Sequence, residues 1–228
     1  MITLYLLIFT IITKKGKIMK IQDLIDGHVN FKDRKFKKYE NKFLDLVENG
    51  QKPKVLFIAC SDSRVDPVLI TNSDPGDLFI LRNIGNFVPP FSPDNDYHAT
   101  AAGIEYATHV LKVTDIIICG HSHCGAINSL YQDIDSINLL HVKKWLDLGM
   151  EAKNHVESSI SVKATHEDKL ELTEKVSVVL QMKNILTYPE VKSRVESGKL
   201  SIRGWYYKLG TGELEYYCDK EREFIPMI

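Results

Sequence analysis

The feature that most constrains this chain is a repeated device: a short, unbroken apolar run followed at once by a turn or helix start. Lys54 to Ala59 (KVLFIA), Leu78 to Leu81 and Asp115 to Cys119 (DIIIC) are runs of this kind, rich in branched and aromatic side chains. Such runs lack the polar alternation of a half-exposed strand, so they predict strands covered on both faces, as in a parallel sheet. Between them, Asp66-Pro67 supplies a helix cap and first-turn proline, and Tyr97 to Leu111 reads as an Ala-rich helix. The alternation predicts an α/β fold with a mostly parallel β-sheet flanked by helices. Farther on, Leu140 to Glu157 and Glu167 to Thr187 are expected to be helical, and Pro189 opens a shorter helix closed near Gly198. Leu200 to Lys208 and Glu213 to Cys218 predict a C-terminal antiparallel hairpin at a sheet edge.

The N-terminal part has a different pattern. Phe36, Tyr39, Phe43, Leu46 and Val47 recur at helical spacing amid Lys and Glu until Gly50, so residues 20–50 predict an N-terminal helical arm. Residues 1–13 are mostly apolar and precede Lys14, Lys15, Lys17 and Lys20. That run is too short to span a bilayer and lacks a basic segment before it. Residues 1–19 are therefore expected to be an upstream mis-start, with translation opening at Met19, or a dispensable extension; a membrane tether is the alternative. Residues 51–228 are expected to form a single catalytic domain, since 228 residues at 44% hydrophobic content suffice for one sizeable core. With 29 basic against 30 acidic residues, the chain carries no electrostatic footprint for nucleic acid or an anionic membrane. The expected partner is a small molecule. Four scattered cysteines make no disulfide framework, which points to a reducing compartment and a cytoplasmic location.

Two of the apolar runs end in chemistry. Cys60-Ser61-Asp62-Ser63-Arg64 follows the first, and His121-Ser122-His123-Cys124-Gly125 follows the third. In α/β sheets, ligands bind beyond the carboxyl ends of strands, where both stretches fall. Two thiols and one imidazole suit zinc, whose site is catalytic when its fourth position opens, and Asp62 is the fourth candidate. A disulfide between Cys60 and Cys124 is the alternative use of those thiols. Cys119 and Cys218 read as small buried hydrophobes. His123 reads as a bystander or weak proton shuttle, and the remaining histidines as surface or helix residues.

The segments ACSDSRV, PGDLFILRNIGNFVPP, AAGIEYATHVLKVTDIIICGHSHCGAINSL, LQMKNILTYPEV and GWYYKLGTGEL together resemble the β-class carbonic anhydrases, from about Lys35 to the C-terminus. The resemblance implies one Zn2+ per subunit held by Cys60, His121 and Cys124, with Asp62 and Arg64 as the catalytic pair and Asp62 a fourth ligand only in a closed state. It also implies substrate contacts from Gln51, Phe79, Ile84, Tyr106 and Gly125, some reaching across subunits. The expected assembly is a homo-oligomer with a dimer as its smallest unit and a tetramer above it, without a nucleic-acid or membrane partner. Read from the residues alone, Phe79 and Ile84 are ordinary core packing. Phe57 stands where members with an inhibitory bicarbonate site carry Trp, which favours the subgroup with an open site.

The chemistry implied is reversible hydration of carbon dioxide to bicarbonate and a proton. Zinc with three histidine ligands brings bound water to a pKa of ~7. Two thiolates weaken that pull, so a neighbouring group must stabilise the hydroxide. Asp62, held by a forked pair of hydrogen bonds from Arg64, is suited to orient it, and released from Arg64 it is suited to close the site. Two further readings remain: hydrolysis of carbon disulfide or carbonyl sulfide at the same zinc, and a zinc-stabilised module without activity. Intact Asp62, Arg64 and Gln51 argue against the last, because a structural site needs no orienter.

Overall fold

The computed structural model describes residues 19–94, 96–133 and 138–227. The chain divides into two compact units, one up to Gly50 and one from Gln51 onward. In the first, helix α1 (Ile21–Asn30) passes through a π-helical segment, Phe31–Phe36, into α2 (Lys37–Asn49). The N-terminal helical arm thus runs from Ile21 to Asn49 with a π-helical segment inside it. Gly50, at φ 73°, ends it in a conformation that glycine adopts without strain. Phe36 stacks on Phe43 with ring centroids 5.4 Å apart, yet no residue of α1 or α2 is buried and Val47 is 84% exposed. The mis-start expected over residues 1–19 falls almost wholly outside the described residues.

The second unit is built on six strands: β1 (Val55–Cys60), β2 (Leu78–Asn83), β3 (Asp115–His121), β4 (Ser201–Tyr207), β5 (Leu214–Cys218) and β6 (Glu223–Pro226). Their order is β2-β1-β3-β4-β5-β6. The first four are parallel neighbours, and β4-β5 and β5-β6 are antiparallel. The two-residue period of a strand explains why β1 and the Ile116–Cys119 stretch of β3 are unbroken apolar runs. Leu56, Ile58, Ile116 and Ile118 enter the core on one face, and Phe57, Ala59, Ile117 and Cys119 enter the core on the other. The expected antiparallel arms form as β4 and β5, and a third strand extends them. Strand β4 also pairs with β3 and so lies inside the sheet, while the four-residue β6, too short to show a period, forms the edge.

The flanking helices are α3 (Pro67–Thr71), α4 (Ala99–Glu105), α5 (Gly125–Leu130), α6 (Leu140–Ser159), α7 (His166–Ile185) and α8 (Pro189–Glu196). Helix α3 starts as its residues dictate, with Asp66 Oδ1 accepting from the amides of Val68 and Leu69 at 3.0 and 3.3 Å. The Ala-rich helix does not keep one geometry, because α4 passes into a π-helical turn, Tyr106–Val110. Helix α7 lies close against β3 and β4. A Cβ on Gly120 would stand 2.6 Å from a Val178 methyl, and one on Gly204 2.6 Å from the Met182 sulfur. Its buried Gln181 accepts from the Val88 amide at 2.8 Å, and Asn184 donates to the Val88 carbonyl at 2.9 Å, fixing the extended loop after β2. No helix among the described residues is long and apolar enough to cross a membrane.

Candidate metal centre

Parallel pairing brings two strand ends together. Cys60 is the last residue of β1 and His121 the last of β3, with β1 and β3 hydrogen-bonded neighbours. Cys124 follows three residues later, at the start of α5. The ligand atoms of Cys60, His121 and Cys124 all lie within 4.8 Å of one another, on residues that are 5, 0 and 2% exposed. All four cysteines are free, so the disulfide alternative does not form.

The local backbone explains the convergence. Gly85, at φ 75°, turns the chain after β2 so that its amide points at Cys60 Sγ, 3.4 Å away. Any side chain there would need a left-handed backbone and would stand 2.9 Å from the Ala126 Cβ. Arg82, at the end of β2, donates to the Cys60 carbonyl at 3.0 Å and to the Asp62 carbonyl at 2.7 Å, which holds the Cys60–Asp62 segment. His123 takes a left-handed conformation (φ 57°), which swings the chain from β3 to Cys124.

The electrostatics favour a cation. Cys60 is pushed down to about 4, chiefly by a hydrogen bond from the Cys124 thiol, with His121 and nearby amides outweighing the effect of burial. Cys124 is pushed up by the Cys60 thiolate and by burial, so in the metal-free protein one proton is retained between two sulfurs. At His121 burial works against protonation, but the Cys60 thiolate outweighs it and the net direction is upward. His121 Nδ1 lies 2.9 Å from the Ser122 carbonyl. A carbonyl only accepts, so the proton sits on Nδ1 and Nε2 presents a lone pair. That buried Nε2 has no hydrogen-bond partner among the described residues. A divalent cation would satisfy this nitrogen and displace the shared proton, and two thiolates would neutralise its charge in a buried setting. The donor set fits zinc.

Asp62 stands beside this cluster, paired with Arg64. Its Oδ1 accepts from the Arg64 amide and from Nε, both at 2.9 Å, and Oδ2 accepts from Nη2 at 2.7 Å. The guanidinium holds the carboxyl well below the usual carboxylate range. Arg64 Nη2 also donates to the His123 carbonyl at 3.1 Å, which ties the two sequence motifs to each other.

The remaining expected site residues are less gathered. Ile84 is 46% exposed beside Gly85, and its carbonyl accepts from Trp145 Nε1 at 2.7 Å. Gly125 follows Cys124 with open space where a Cβ would be. Phe79 stacks on Tyr106 at 5.8 Å, on the edge strand β2 and away from the strand ends, with Tyr106 45% exposed. Gln51 is exposed ahead of β1. Two residues were not singled out from the sequence, Arg82 and Glu174. Arg82 carried a signal, a cation closing an apolar strand. Glu174 carried a fainter one, a carboxylate four residues before Val178 on the buried stripe of α7.

A buried Cys-His-Cys cluster at the carboxyl ends of parallel strands, with a carboxylate–guanidinium pair at its mouth, defines a zinc-enzyme type of site. Comparison with known proteins agrees. The family described as carbonic anhydrase matches residues 55–214. A carbonic anhydrase of Synechocystis is 38% identical over 213 residues, covering 90% of this chain and 74% of its own. One from Pseudomonas aeruginosa is 35% identical over 212 residues, covering 91% and 92%. Among solved structures, the β-carbonic anhydrase CcaA matches with a TM-score of 0.85 at 38% identity, covering 91% of this chain and 92% of that one. A tetrameric β-carbonic anhydrase from Sordaria macrospora matches with a TM-score of 0.76 at 26% identity, covering 85% and 94%. The chain belongs to the carbonic anhydrase family, and its fold is that of the β-class.

Proposed function

We propose that this chain hydrates carbon dioxide reversibly to bicarbonate and a proton, with one Zn2+ per subunit held by Cys60 Sγ, His121 Nε2 and Cys124 Sγ. The observation that carries the reading is the convergence of these three buried donors around an imidazole nitrogen without a partner. Zinc bound there supplies a Lewis acid that makes water nucleophilic near neutral pH. Asp62, kept ionised by Arg64, accepts a hydrogen bond from the attacking O–H and aims an oxygen lone pair at the carbon of carbon dioxide. Arg64 fixes the carboxylate plane through its forked pair, while Arg82 fixes the backbone that carries it. Ile84 and Gly125 border this mouth by their sequence positions beside Gly85 and Cys124. Gln51, Phe79 and Tyr106 belong to the same reading as substrate contacts completed by a second subunit.

The half-exposed Phe79–Tyr106 pair on an edge strand supports a dimer as the smallest unit, and the tetrameric Sordaria relative supports a tetramer above it. Four free cysteines are in keeping with a reducing, cytoplasmic setting. We further propose residues 51–228 as the catalytic domain. The test is a stopped-flow assay of carbon dioxide hydration on protein with verified zinc content, with carbon disulfide run alongside. Hydration that disappears on chelation and returns with zinc is expected. Zinc-replete protein that leaves carbon dioxide untouched overturns the proposal, and turnover of carbon disulfide instead reassigns the substrate.

A further inference from the structure

We infer that Glu174 is a positioning residue for the metal centre, acting through the single peptide bond between His123 and Cys124. Glu174 lies on α7 and is 4% exposed. Its Oε1 accepts from the Cys124 amide at 2.8 Å, and its Oε2 accepts from the Tyr206 hydroxyl at 2.6 Å. Across the same peptide, the His123 carbonyl accepts from Arg64 Nη2 at 3.1 Å. One rigid plane is therefore held at its oxygen by the guanidinium that orients Asp62 and at its N–H by a buried carboxylate. Cys124 caps α5 and its amide has no acceptor within that helix, so a partner must come from elsewhere in the fold. His123, on the other side of the peptide, sits at φ 57°, a conformation that persists where surrounding contacts over-determine it.

The carboxylate is itself located. Tyr206 is 1% exposed on β4, and the Lys175 ammonium stands 4.9 Å from its ring centroid. Tyr206 thus fixes Glu174, Glu174 fixes the Cys124 amide, and the peptide plane fixes both the direction of the Cys124 side chain and the landing point of Arg64. Glu174 touches neither metal-ligating atoms nor substrate in this arrangement; it sets where they stand. Acceptor geometry is what the role requires, and a glutamine oxygen would supply it.

The inference rests on Cys60, His121 and Cys124 holding zinc, so its test separates the two. Full-length wild type, Glu174→Gln, Glu174→Leu and Tyr206→Phe are loaded with zinc, and the rate of zinc loss to a chelator is measured beside the unfolding midpoint and the absorption spectrum of the cobalt-loaded forms. Glu174→Leu, which keeps bulk but has no acceptor, is expected to lose zinc about 10–100-fold faster and to shift the cobalt spectrum. Glu174→Gln is expected to keep the wild-type rate and spectrum. A Leu variant that retains zinc like the wild type overturns the inference, as does a Gln variant that loses zinc as fast as Leu. Should the Leu variant fail to fold, Tyr206→Phe decides: faster zinc loss at an unchanged unfolding midpoint supports the role, and an unchanged rate overturns it. Wild-type protein that takes up no zinc overturns the metal-centre reading itself.

Discussion

Replacing Asp62 by Asn tests the orienting role with almost no change of shape. In the wild type, Oδ1 accepts two hydrogen bonds from Arg64 and Oδ2 accepts a third. An asparagine has only one acceptor atom. With its oxygen at the Oδ1 position, the new NH2 faces Nη2, a donor against a donor across 2.7 Å. Flipped, it faces the Arg64 amide and Nε, two such conflicts instead of one. Neither rotamer keeps the forked pair, so the side chain leaves its position and the attacking oxygen loses its acceptor. Loss of one preorganised group of this kind costs about 10²–10³ in kcat. The role is exerted in the transition state, so KM should change little while kcat and kcat/KM fall together. The assay is stopped-flow hydration with a pH indicator on protein whose zinc content equals that of the wild type. A zinc-replete Asp62→Asn variant with kcat within about tenfold of wild type would refute the role.

Arg64→Ala should return Asp62 toward an ordinary carboxylate pKa of about 3.9. In the wild type the folded pKa is depressed, so the contribution of the pair is complete above the unfolded value and is lost as pH falls through the lower folded one. In the variant the loss moves up into the ordinary carboxylate range, read as the carbon-13 titration of the Asp62 carboxyl; an unmoved midpoint would contradict the pairing. In metal-free protein at pH 7, Cys60 is a thiolate and Cys119, which burial pushes up to about 12, is not. Iodoacetamide after chelation should therefore label Cys60 and spare Cys119 in peptide mapping by mass spectrometry, and equal labelling would count against the assignment. Gly204→Ala should destabilise the fold by about 1–3 kcal/mol, because its Cβ would stand 2.6 Å from Met182 Sδ and 2.9 Å from a Val178 methyl. Gly210→Ala, with open space around it, is the control, and equal urea midpoints for the two would contradict the close approach of α7 to β4.

How far the sequence could be read depended on whether a residue's role was local. Strands β1 and β3 were legible because burial on both faces leaves one pattern, an unbroken apolar run, and their ends were legible because Cys60 and His121 break it. The place of β4 was not, since a strand that pairs forward with β5 and backward with β3 looks in sequence like any hairpin arm. The same limit applies at the site. Asp62 and Arg64 stand two residues apart, so their pairing follows from one turn of chain. Glu174 is 50 residues from the amide it accepts from, and Tyr206 a further 32 from Glu174. Contacts at that separation depend on which face of α7 meets the sheet, and the polar residues on that face blur the apolar stripe that would reveal it.

The division between buried and exposed parts of the site has a mechanical consequence. Cys60, His121 and Cys124 sit on strand ends or a helix cap at 5% exposure or less, and Cys60 and Cys124 are packed into one hydrophobic cluster whose close contacts resist displacement. Asp62 and Arg64 lie on the loop after β1, and the Arg64 side chain is 53% exposed. Arg64 is tied to the metal-ligating loop by its hydrogen bond to the His123 carbonyl and by charge attraction to Cys124. Movement of the pair therefore costs few packing contacts, whereas movement of Cys60 or Cys124 disturbs the cluster they share. Under the proposed function, a carboxylate meant to swing onto the metal is best carried on such a loop for that reason. The His123–Cys124 peptide is where the loop and the rigid part meet, and how firmly Glu174 holds it sets how much of the loop's motion reaches the metal ligands.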